Sequence, residues 1–276
     1  MSIFKYQNYD INYIVDGDLT SGKEIIIILN GIMMSTKSWE IFVKPFSSNN
    51  VLIRFDMFDQ GETSKLDNQY TQKIQVELLK GLIDYLNIKK INIVAISYGA
   101  SVALQFAGKY ENYINKLVIA NVVSKTSNWL KAIGDGWNAV AKTRDGDAYY
   151  NISIPYIYSP QFYTKEIKWM ENRKEFLIPI FSDKVFLDAM IRLTKSAETH
   201  NVDSFLDKIN TETLIISSEE DYLTPVFEQK HIHSKMKNSS LVIIPECGHA
   251  SMYEKPRLFT SLILGFINSN QAKSIV

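Results

Sequence analysis

Ser97 is the residue of this chain whose type and setting most directly suggest chemistry. It lies in Ala95-Ile96-Ser97-Tyr98-Gly99, between an apolar run and a stretch of helical character. A serine on a sharp turn between a buried strand and a helix is held clear of the sheet, and the following backbone N–H groups point at whatever its hydroxyl attacks. The same pattern also fits a serine that ends a strand and caps a helix. The segment therefore predicts a nucleophile only if partners exist elsewhere.

His249 is the histidine best placed to accept the serine proton. It closely follows the apolar run 241–244, and a loop histidine can take a proton and return it because its ordinary pKa lies near neutrality. We expect His200 to lie in an inserted region, and His231 and His233 to lie on an exposed helix. A zinc site at that pair lacks the cysteine or carboxylate cluster to complete it. We expect no metal.

A carboxylate that orients the histidine is predicted in the segment 218–225, directly after the apolar run 214–217. Such a group holds the imidazole in one tautomer and stabilises its charged form. Asp221 is the residue that we select for this role. Glu219 and Glu220 remain the alternatives, since each could equally be a solvated loop charge.

Backbone donors for a developing oxyanion are predicted at Ile32 and Tyr98. Asn30-Gly31-Ile32 follows the apolar run 25–29, and the glycine permits a tight turn there. Each donor of this kind contributes on the order of 3 kcal/mol to transition-state stabilisation. Taken alone, the segment also fits an ordinary Asn-Gly turn.

The elements that must position these groups are short apolar strands that alternate with helical stretches. This alternation is typical of a mostly parallel central sheet flanked by helices, an α/β fold. Ligand sites of such sheets gather at the carboxyl ends of the strands, where all four segments fall. Residues 4–15 predict an antiparallel pair at the sheet edge that turns at 8–10. The predicted strands are 25–29, 51–55, 91–96, 117–120, 214–217 and 241–244, and the predicted helices include 71–86, 225–236 and 255–267.

Residues 122–210 interrupt the alternation and are rich in aromatic side chains. An unstructured loop of that length is uncommon in a compact domain, so we predict a mostly helical inserted cap, with residues 1–121 and 211–276 forming the core. Large apolar faces in such a cap suit a hydrophobic ligand. We therefore predict that Met33, Trp129 and Trp137 contact the substrate, although each aromatic could instead belong to the core of the cap.

The overall composition restricts the class of partner. The chain has 276 residues, 46% of them hydrophobic, with 30 basic and 30 acidic side chains that cancel. No long basic run is present, so a nucleic-acid or anionic-membrane partner is not expected. These features favour a small ligand that is not strongly charged. We expect a monomer or a homodimer.

The single cysteine, Cys247, excludes an intrachain disulfide and fits a reducing compartment. The N-terminal residues lack the apolar stretch of a signal peptide, and no run approaches the length of a membrane span. We therefore expect a cytoplasmic protein. Although Cys247 lies two residues before His249, we expect a small packed side chain there and no nucleophile.

Ser97, Asp221 and His249 occur in the chain order Ser, Asp, His, each after a predicted strand. Over essentially the whole chain, this arrangement resembles the α/β-hydrolase superfamily. The resemblance rests on Ala95-Ile96-Ser97-Tyr98-Gly99 as nucleophile elbow, on residues 219–225 as acid loop, and on residues 248–256 as histidine loop. It implies an α/β-hydrolase fold and a catalytic triad.

Two departures from the family pattern stand out. Many members have His-Gly at the oxyanion turn, where this chain has Asn30-Gly31, so the side-chain hydrogen bonding behind the turn must differ. Many members also have the pattern Asp-x-x-Gly-x-Gly-x-Ser. The corresponding residues 56–63 of this chain keep only the aspartate, Asp56, and the second glycine, Gly61. In both respects, the chain resembles the bacterial acyltransferases that join 3-hydroxyacyl chains into rhamnolipid precursors. An acceptor other than water is therefore an alternative.

The sequence thus predicts a serine hydrolase, of esterase or thioesterase type, that acts on a small or medium hydrophobic ester or thioester through an acyl-enzyme on Ser97. No cofactor is required. The alternatives are an acyltransferase with the same triad and an alcohol or thiol acceptor, a ligand-binding protein without catalysis, and a cofactor-free lyase.

Overall fold

A computed structural model of the chain describes residues 2–271, and eight strands in this range form one sheet. The strand order is β1-β2-β4-β3-β5-β6-β7-β8. Their bounds are β1 (Ser2–Tyr6), β2 (Tyr9–Asp16), β3 (Ile25–Leu29), β4 (Val51–Phe55), β5 (Ile91–Ile96), β6 (Ile114–Ala120), β7 (Glu212–Ser218) and β8 (Ser239–Ile244).

The sheet is mostly parallel, which confirms the predicted fold class. Strands β3 to β8 pair in parallel, whereas β1 and β2 are antiparallel and occupy one edge. The predicted turn between the edge strands at 8–10 is wrong by about one residue. Tyr6 pairs with Tyr9, so the turn consists of Gln7 and Asn8, and Gln7 takes the left-handed conformation with φ of 54°.

Helices cover both faces of this sheet. Within residues 2–271 the α-helices are α1 (Glu40–Ser47), α2 (Lys73–Tyr85), α3 (Tyr98–Tyr110), α4 (Asn128–Ala141), α5 (Gly146–Ile157), α6 (Pro160–Lys165), α7 (Ile167–Phe181), α8 (Lys184–Ser196), α9 (Val226–Lys235), α10 (Ser251–Glu254) and α11 (Pro256–Ile267). The predicted helices at 71–86, 225–236 and 255–267 correspond to α2, α9 and α11.

The two-residue period of the strands divides the apolar core into two layers. Ile26 and Ile28 of β3 point to one face, where they pack in a cluster with residues of α1 and α11. Ile27 and Leu29 point to the other face, where the cluster includes residues of α2, α3 and α9. Because both faces are covered, the central strands are apolar almost throughout, as the sequence pattern indicated.

Five helices, α4 to α8, lie between β6 and β7 in the chain. Four of them begin at a side-chain cap, because a Ser or Asp oxygen just before the helix accepts a hydrogen bond from a backbone N–H of the first turn. The pairs are Ser127 with Leu130, Asp145 with Ala148, Ser159 with Phe162, and Asp183 with Phe186. These helices pack mainly against one another, α5 on α7 and α4 on α8.

Two buried polar contacts attach these helices to the rest of the molecule. Arg192 of α8 donates to both carboxylate oxygens of Asp59, at 2.9 and 2.7 Å, and the Asp59 side chain is fully buried. Glu254 accepts hydrogen bonds from the backbone and hydroxyl of Ser159, at 2.8 and 2.7 Å, and from the backbone of Gly248. The α4–α8 helices are thereby fixed over the carboxyl end of the sheet.

Candidate active site

Ser97 occupies a strained turn between β5 and α3. Its φ of 53° and ψ of −118° lie in a region that side chains other than glycine rarely adopt. The hydrogen bond from its N–H to the Ala120 carbonyl, at 2.9 Å, ties the turn to β6. A Cβ at Gly99 would lie 2.4 Å from the Leu29 carbonyl oxygen, so only glycine lets α3 start this close to β3. The backbone therefore presents the Ser97 side chain above the strand ends.

His249 and Asp221 complete a hydrogen-bonded chain with Ser97. The Ser97 hydroxyl lies 2.8 Å from His249 Nε2, and His249 Nδ1 lies 2.7 Å from Asp221 Oδ2. A carboxylate oxygen can only accept, so the Nδ1 proton faces Asp221 and Nε2 is free to accept the Ser97 proton. Both the histidine and the aspartate are buried.

Asp221 is held by its own loop. Its Oδ1 accepts hydrogen bonds from the backbone N–H groups of Leu223 and Thr224, at 2.8 and 2.9 Å, and its Oδ2 also accepts from the Thr224 hydroxyl. The two alternative carboxylates point elsewhere. Glu219 accepts from the Glu246 backbone, and Glu220 accepts from an exposed glutamine amide. Only Asp221 of the three contacts His249.

Asn121 secures the histidine loop, and the sequence reasoning missed it. It follows β6 directly, and its Nδ2 donates to the His249 carbonyl at 2.7 Å, while its Oδ1 accepts from Ser218 at 3.1 Å. The backbone of Asn121 is left-handed, with φ of 50°. A polar residue immediately after a central strand was the available signal, since the carboxyl ends of neighbouring strands share one edge.

Ile32 and Tyr98, the predicted backbone donors, line the same cavity as Ser97. Tyr98 is the first residue of α3, so its N–H has no acceptor within the helix. Within residues 2–271, neither N–H has a hydrogen-bond partner. Both residues line the cavity in front of Ser97. Two free donors are therefore available to an oxygen that develops negative charge there.

Side chains behind the Asn30-Gly31 turn form a buried hydrogen-bond network. Gln60 donates from Nε2 to the Gly31 carbonyl at 2.9 Å, and its Oε1 accepts from Asn30 Nδ2 at 3.2 Å. Asn30 Oδ1 in turn accepts from the Trp39 indole at 2.8 Å. The Gly31 carbonyl and the Ile32 N–H belong to one planar peptide and point in opposite directions. The contact with Gln60 therefore helps to fix the direction of the Ile32 N–H, and the sequence reasoning did not identify it.

The cavity in front of Ser97 lies between the strand ends and helices α4, α5, α7 and α8. Its volume is about 190 Å³, and its walls are mainly apolar. Cavities of roughly 150 Å³ lined by aliphatic side chains accommodate a benzene ring. Met33 and Trp137 both line this cavity, and their contact with a substrate stays a prediction.

The structure places Trp129, the third residue predicted to contact the substrate, outside this cavity. Trp129 is 56% exposed and lies outside the cavity, where its indole N–H donates to the Tyr222 carbonyl at 3.2 Å. Leu130, Ile133 and Trp137 form the face of α4 that lines the cavity. At 3.6 residues per turn, Trp129 lies about a quarter turn from that face.

The other histidines have contacts of their own. His200 follows α8, is buried, and lies 3.0 Å from the Val123 carbonyl through Nε2. His231 contacts Asp203, whereas His233 contacts the Ser239 hydroxyl. Within residues 2–271, no three His, Cys, Asp or Glu side chains are grouped so that they could hold a metal ion. Over the same range, none of the helices combines the length and apolar character that crossing a bilayer requires.

Cys247 is fully buried, close to the histidine loop. Burial, with a smaller contribution from the Glu254 carboxylate, raises the pKa of its thiol to about 12. The reactive form of a cysteine is the thiolate, which is scarce at neutral pH when the pKa is this high. A nucleophilic role for Cys247 is therefore disfavoured.

Comparison with known sequences identifies the class of protein to which this fold and this site belong. A protein-family model described as alpha/beta hydrolase fold matches residues 24–176, more than half of the chain. The chain belongs to the α/β-hydrolase family, a family of hydrolytic enzymes. The resemblance inferred from the motifs around Ser97, Asp221 and His249 is confirmed.

Individual relatives extend over nearly the whole chain. MGS-M2, an alpha/beta hydrolase enzyme from a Medee basin deep-sea metagenome library, is 62% identical, with a TM-score of 0.97 and 100% of both chains covered. A Bacillus subtilis (strain 168) protein, provisionally named 2-succinyl-6-hydroxy-2,4-cyclohexadiene-1-carboxylate synthase, is 25% identical, covering 94% of this chain and 96% of its own length. The 2-hydroxy-6-oxononadienedioate/2-hydroxy-6-oxononatrienedioate hydrolase 1 of Pseudomonas putida is 24% identical, covering 91% and 90%.

Proposed function

We propose that this protein is a serine hydrolase that cleaves a small or medium hydrophobic carboxylic ester or thioester through an acyl-enzyme on Ser97. The observation that carries the proposal is the hydrogen-bonded chain from Asp221 through His249 to Ser97, which ends at an apolar cavity. Ile32 and Tyr98, whose backbone N–H groups have no hydrogen-bond partner within residues 2–271, line the same cavity. Nucleophile, base and oxyanion donors are thus within reach of one carbonyl group.

The proposed reaction has two halves. His249 accepts the Ser97 proton as the serine oxygen attacks the substrate carbonyl, and the N–H groups of Ile32 and Tyr98 donate to the resulting oxyanion. Collapse of this intermediate expels the alcohol or thiol, which takes the proton from His249. Water, deprotonated by His249, then attacks the acyl-enzyme and releases the acid. Asp221 stabilises the imidazolium in both halves.

The cavity walls support a hydrophobic substrate of limited size. We propose that residues 122–210 act as the cap that selects it, with residues 1–121 and 211–276 as the catalytic core. Trp137 of α4 and Met33 beside the oxyanion turn line the cavity and would contact the acyl or leaving group. The relatives' names describe a synthase and a hydrolase of an oxo-dienedioate, two different reactions. The ester class is therefore inferred from the site itself.

Covalent labelling tests the proposal directly. The wild-type protein should react with a fluorophosphonate probe at Ser97, and a Ser97→Ala variant should remain unlabelled while keeping its unfolding midpoint. With short-chain esters and thioesters, the wild-type protein should release free acid, and mass spectrometry after rapid quenching should detect an acyl adduct on the Ser97 peptide. Acyl transfer to an added alcohol or thiol, without free acid, would indicate a transferase. A folded wild-type protein that neither labels nor turns over any ester would refute the proposal.

A further inference from the structure

Arg173 of α7 is a charged residue in the wall of the cavity that the proposed reaction leaves unused. It lines the same cavity as Ser97. The centre of its guanidinium group lies 4.6 Å from the centroid of the Tyr253 ring and 5.4 Å from that of Trp169. Stacking on two aromatic rings fixes the plane of the guanidinium group and favours its charged form.

Within the part of the chain that the structure describes, no acidic side chain pairs with Arg173. Across residues 2–271, no carboxylate oxygen lies within 4.0 Å of its guanidinium group. Three other arginines do have such partners: Arg54 pairs with Asp16 and Glu40, Arg144 with Asp188, and Arg192 with Asp59. In addition, Arg173 Nε is buried and has no hydrogen-bond partner among these residues.

The remaining charges around the cavity do not compensate for Arg173. Lys131 and Glu198 both line the cavity, but they face each other at 3.5 Å and cancel. Burial lowers the pKa of His200, which favours its neutral form near pH 7. Burial also acts to lower the pKa of Arg173. The interactions with the Tyr158 and Tyr253 hydroxyls outweigh burial, so the pKa of Arg173 is raised. The Asp221 carboxylate lies behind His249 and does not pair with Arg173, so among residues 2–271 Arg173 is the charged residue of the cavity lining that has no partner of opposite charge.

Arg173 is half-buried in a mainly apolar wall, where its charged group loses part of its hydration, and the neighbouring aromatic rings and hydroxyls replace that hydration incompletely. A ligand with an anionic group would compensate for that loss. The planar fork of arginine matches a carboxylate through two parallel hydrogen bonds, which are stronger than bonds between neutral groups. The scissile carbonyl is required at Ser97, so the anionic group belongs to another part of the substrate.

We propose that Arg173 binds a carboxylate of the substrate, and that the preferred substrates are monoesters or monothioesters of dicarboxylic acids. This inference rests on the proposed function, which supplies the ester group. It modifies the expectation from composition that the ligand is not strongly charged. Arg173 acts as a specificity residue, since it takes no part in bond cleavage.

A substrate series measures the effect of Arg173. Monomethyl succinate, glutarate, adipate, pimelate and suberate are compared with the corresponding dimethyl esters, which differ only in the anionic group. We expect the wild-type enzyme to prefer at least one monoester. Arg173→Met should lower kcat/KM for that monoester roughly 10- to 100-fold, mainly through KM, and change the dimethyl ester less than about threefold. Arg173→Lys should restore part of the preference.

Lys174→Met is the matched control, because it removes one positive charge from the next position of α7. Lys174 pairs with Asp147 at 2.7 Å and does not line the cavity. We expect it to leave the monoester preference unchanged. Equal losses for monoester and dimethyl ester in both Arg173 variants, or a wild-type enzyme with no preference for any monoester, would overturn the inference.

A binding measurement separates this inference from the proposed function. In a Ser97→Ala background, calorimetric titration with the preferred monoester should detect binding that Arg173→Met weakens by the same factor, without any turnover. Binding that depends on Arg173 in a protein that hydrolyses no ester would refute the proposed function and support the carboxylate site. If neutral esters are hydrolysed and Arg173→Met does not change the affinity for the monoester, only the carboxylate site is refuted.

Discussion

Replacing Gln60 by leucine tests how the oxyanion turn is oriented. Gln60 is 1% exposed, and its Nε2 donates to the Gly31 carbonyl at 2.9 Å. That carbonyl shares a peptide plane with the Ile32 N–H, the proposed oxyanion donor. Leucine fills a similar volume but donates nothing, so the peptide loses the contact that sets its direction. We expect kcat to fall while KM changes little, because the donor acts mainly in the transition state.

The expected loss of kcat in Gln60→Leu depends on the contacts that the Gly31 carbonyl retains. Complete loss of one oxyanion donor costs about 2.7–4 kcal/mol in activation free energy. The Gly31 carbonyl still accepts from the Met34 N–H at 3.2 Å, so the peptide is only partly released. We therefore expect about 1.5 kcal/mol, or roughly tenfold in kcat. The Met57 N–H also loses its contact with Gln60 Oε1, at 3.3 Å, which should cost about 1–3 kcal/mol of unfolding free energy.

The effect of Gln60→Leu on kcat and KM is measured by steady-state kinetics with a short-chain ester. The affinity for a trifluoromethyl ketone that mimics the tetrahedral intermediate is measured as well. Gln75→Leu is the matched control. Gln75 is also a fully buried glutamine, and it bonds the backbone of Phe58 through both its oxygen and its nitrogen. It should lose comparable stability and keep its kcat. If both variants lose stability and neither loses kcat, the orienting role of Gln60 is refuted.

Two further predictions concern the histidine and its loop. Asp221→Asn should lower kcat about 10³- to 10⁴-fold, because an amide in that position no longer enforces the productive histidine tautomer; a loss below about tenfold in steady-state assays would contradict the role of Asp221. Cys247 should resist iodoacetamide at pH 8 in the folded protein, since its pKa is raised to about 12, and Cys247→Ala should keep most activity. The folded state retains this thiol proton above the ordinary pKa of 9.0, so the Cys247 contribution to unfolding free energy should decrease as pH rises from 9.0 towards 12. Rapid alkylation of the native protein, or loss of turnover in a stable Cys247→Ala variant, would overturn this assignment.

The fold was accessible from sequence because the central strands are buried on both sides. Segments such as Ile25–Leu29 and Ile91–Ile96 are almost wholly apolar, so their positions and bounds follow from composition alone. The edge hairpin was less exact. Its strands are partly exposed, and the turn position depends on a single left-handed residue, Gln7, which local sequence does not mark strongly.

The central residues of the candidate site were also accessible, because each follows a recognisable strand. Ser97 follows β5, and Asp221 and His249 lie in the loops after β7 and β8. The parallel sheet brings these loops to one edge regardless of their separation in the chain. The supporting residues Asn121 and Gln60 were missed, because hydrogen bonds to backbone carbonyls far away in sequence leave no local pattern.

Residues between β6 and β7 were the least predictable, since their roles depend on helical phase and on packing between helices. Trp129 and Trp137 belong to the same helix and the same residue type, yet one is exposed and the other lines the cavity. Their difference is a quarter-turn of rotation of α4 about its axis, which composition does not encode.

The charge inside the cavity is a second property that the sequence alone does not predict and that the structure shows. The net formal charge of the chain is zero, which argued for a ligand without strong charge. A ligand, however, experiences the charges that line its cavity, since low-dielectric walls strengthen nearby interactions and solvent screens distant ones. There, Lys131 and Glu198 cancel, and Arg173 remains alone on two aromatic rings. In the carboxylate site that we propose, selectivity for an anionic substrate depends on the environment of Arg173, which the net charge of the whole chain does not reveal.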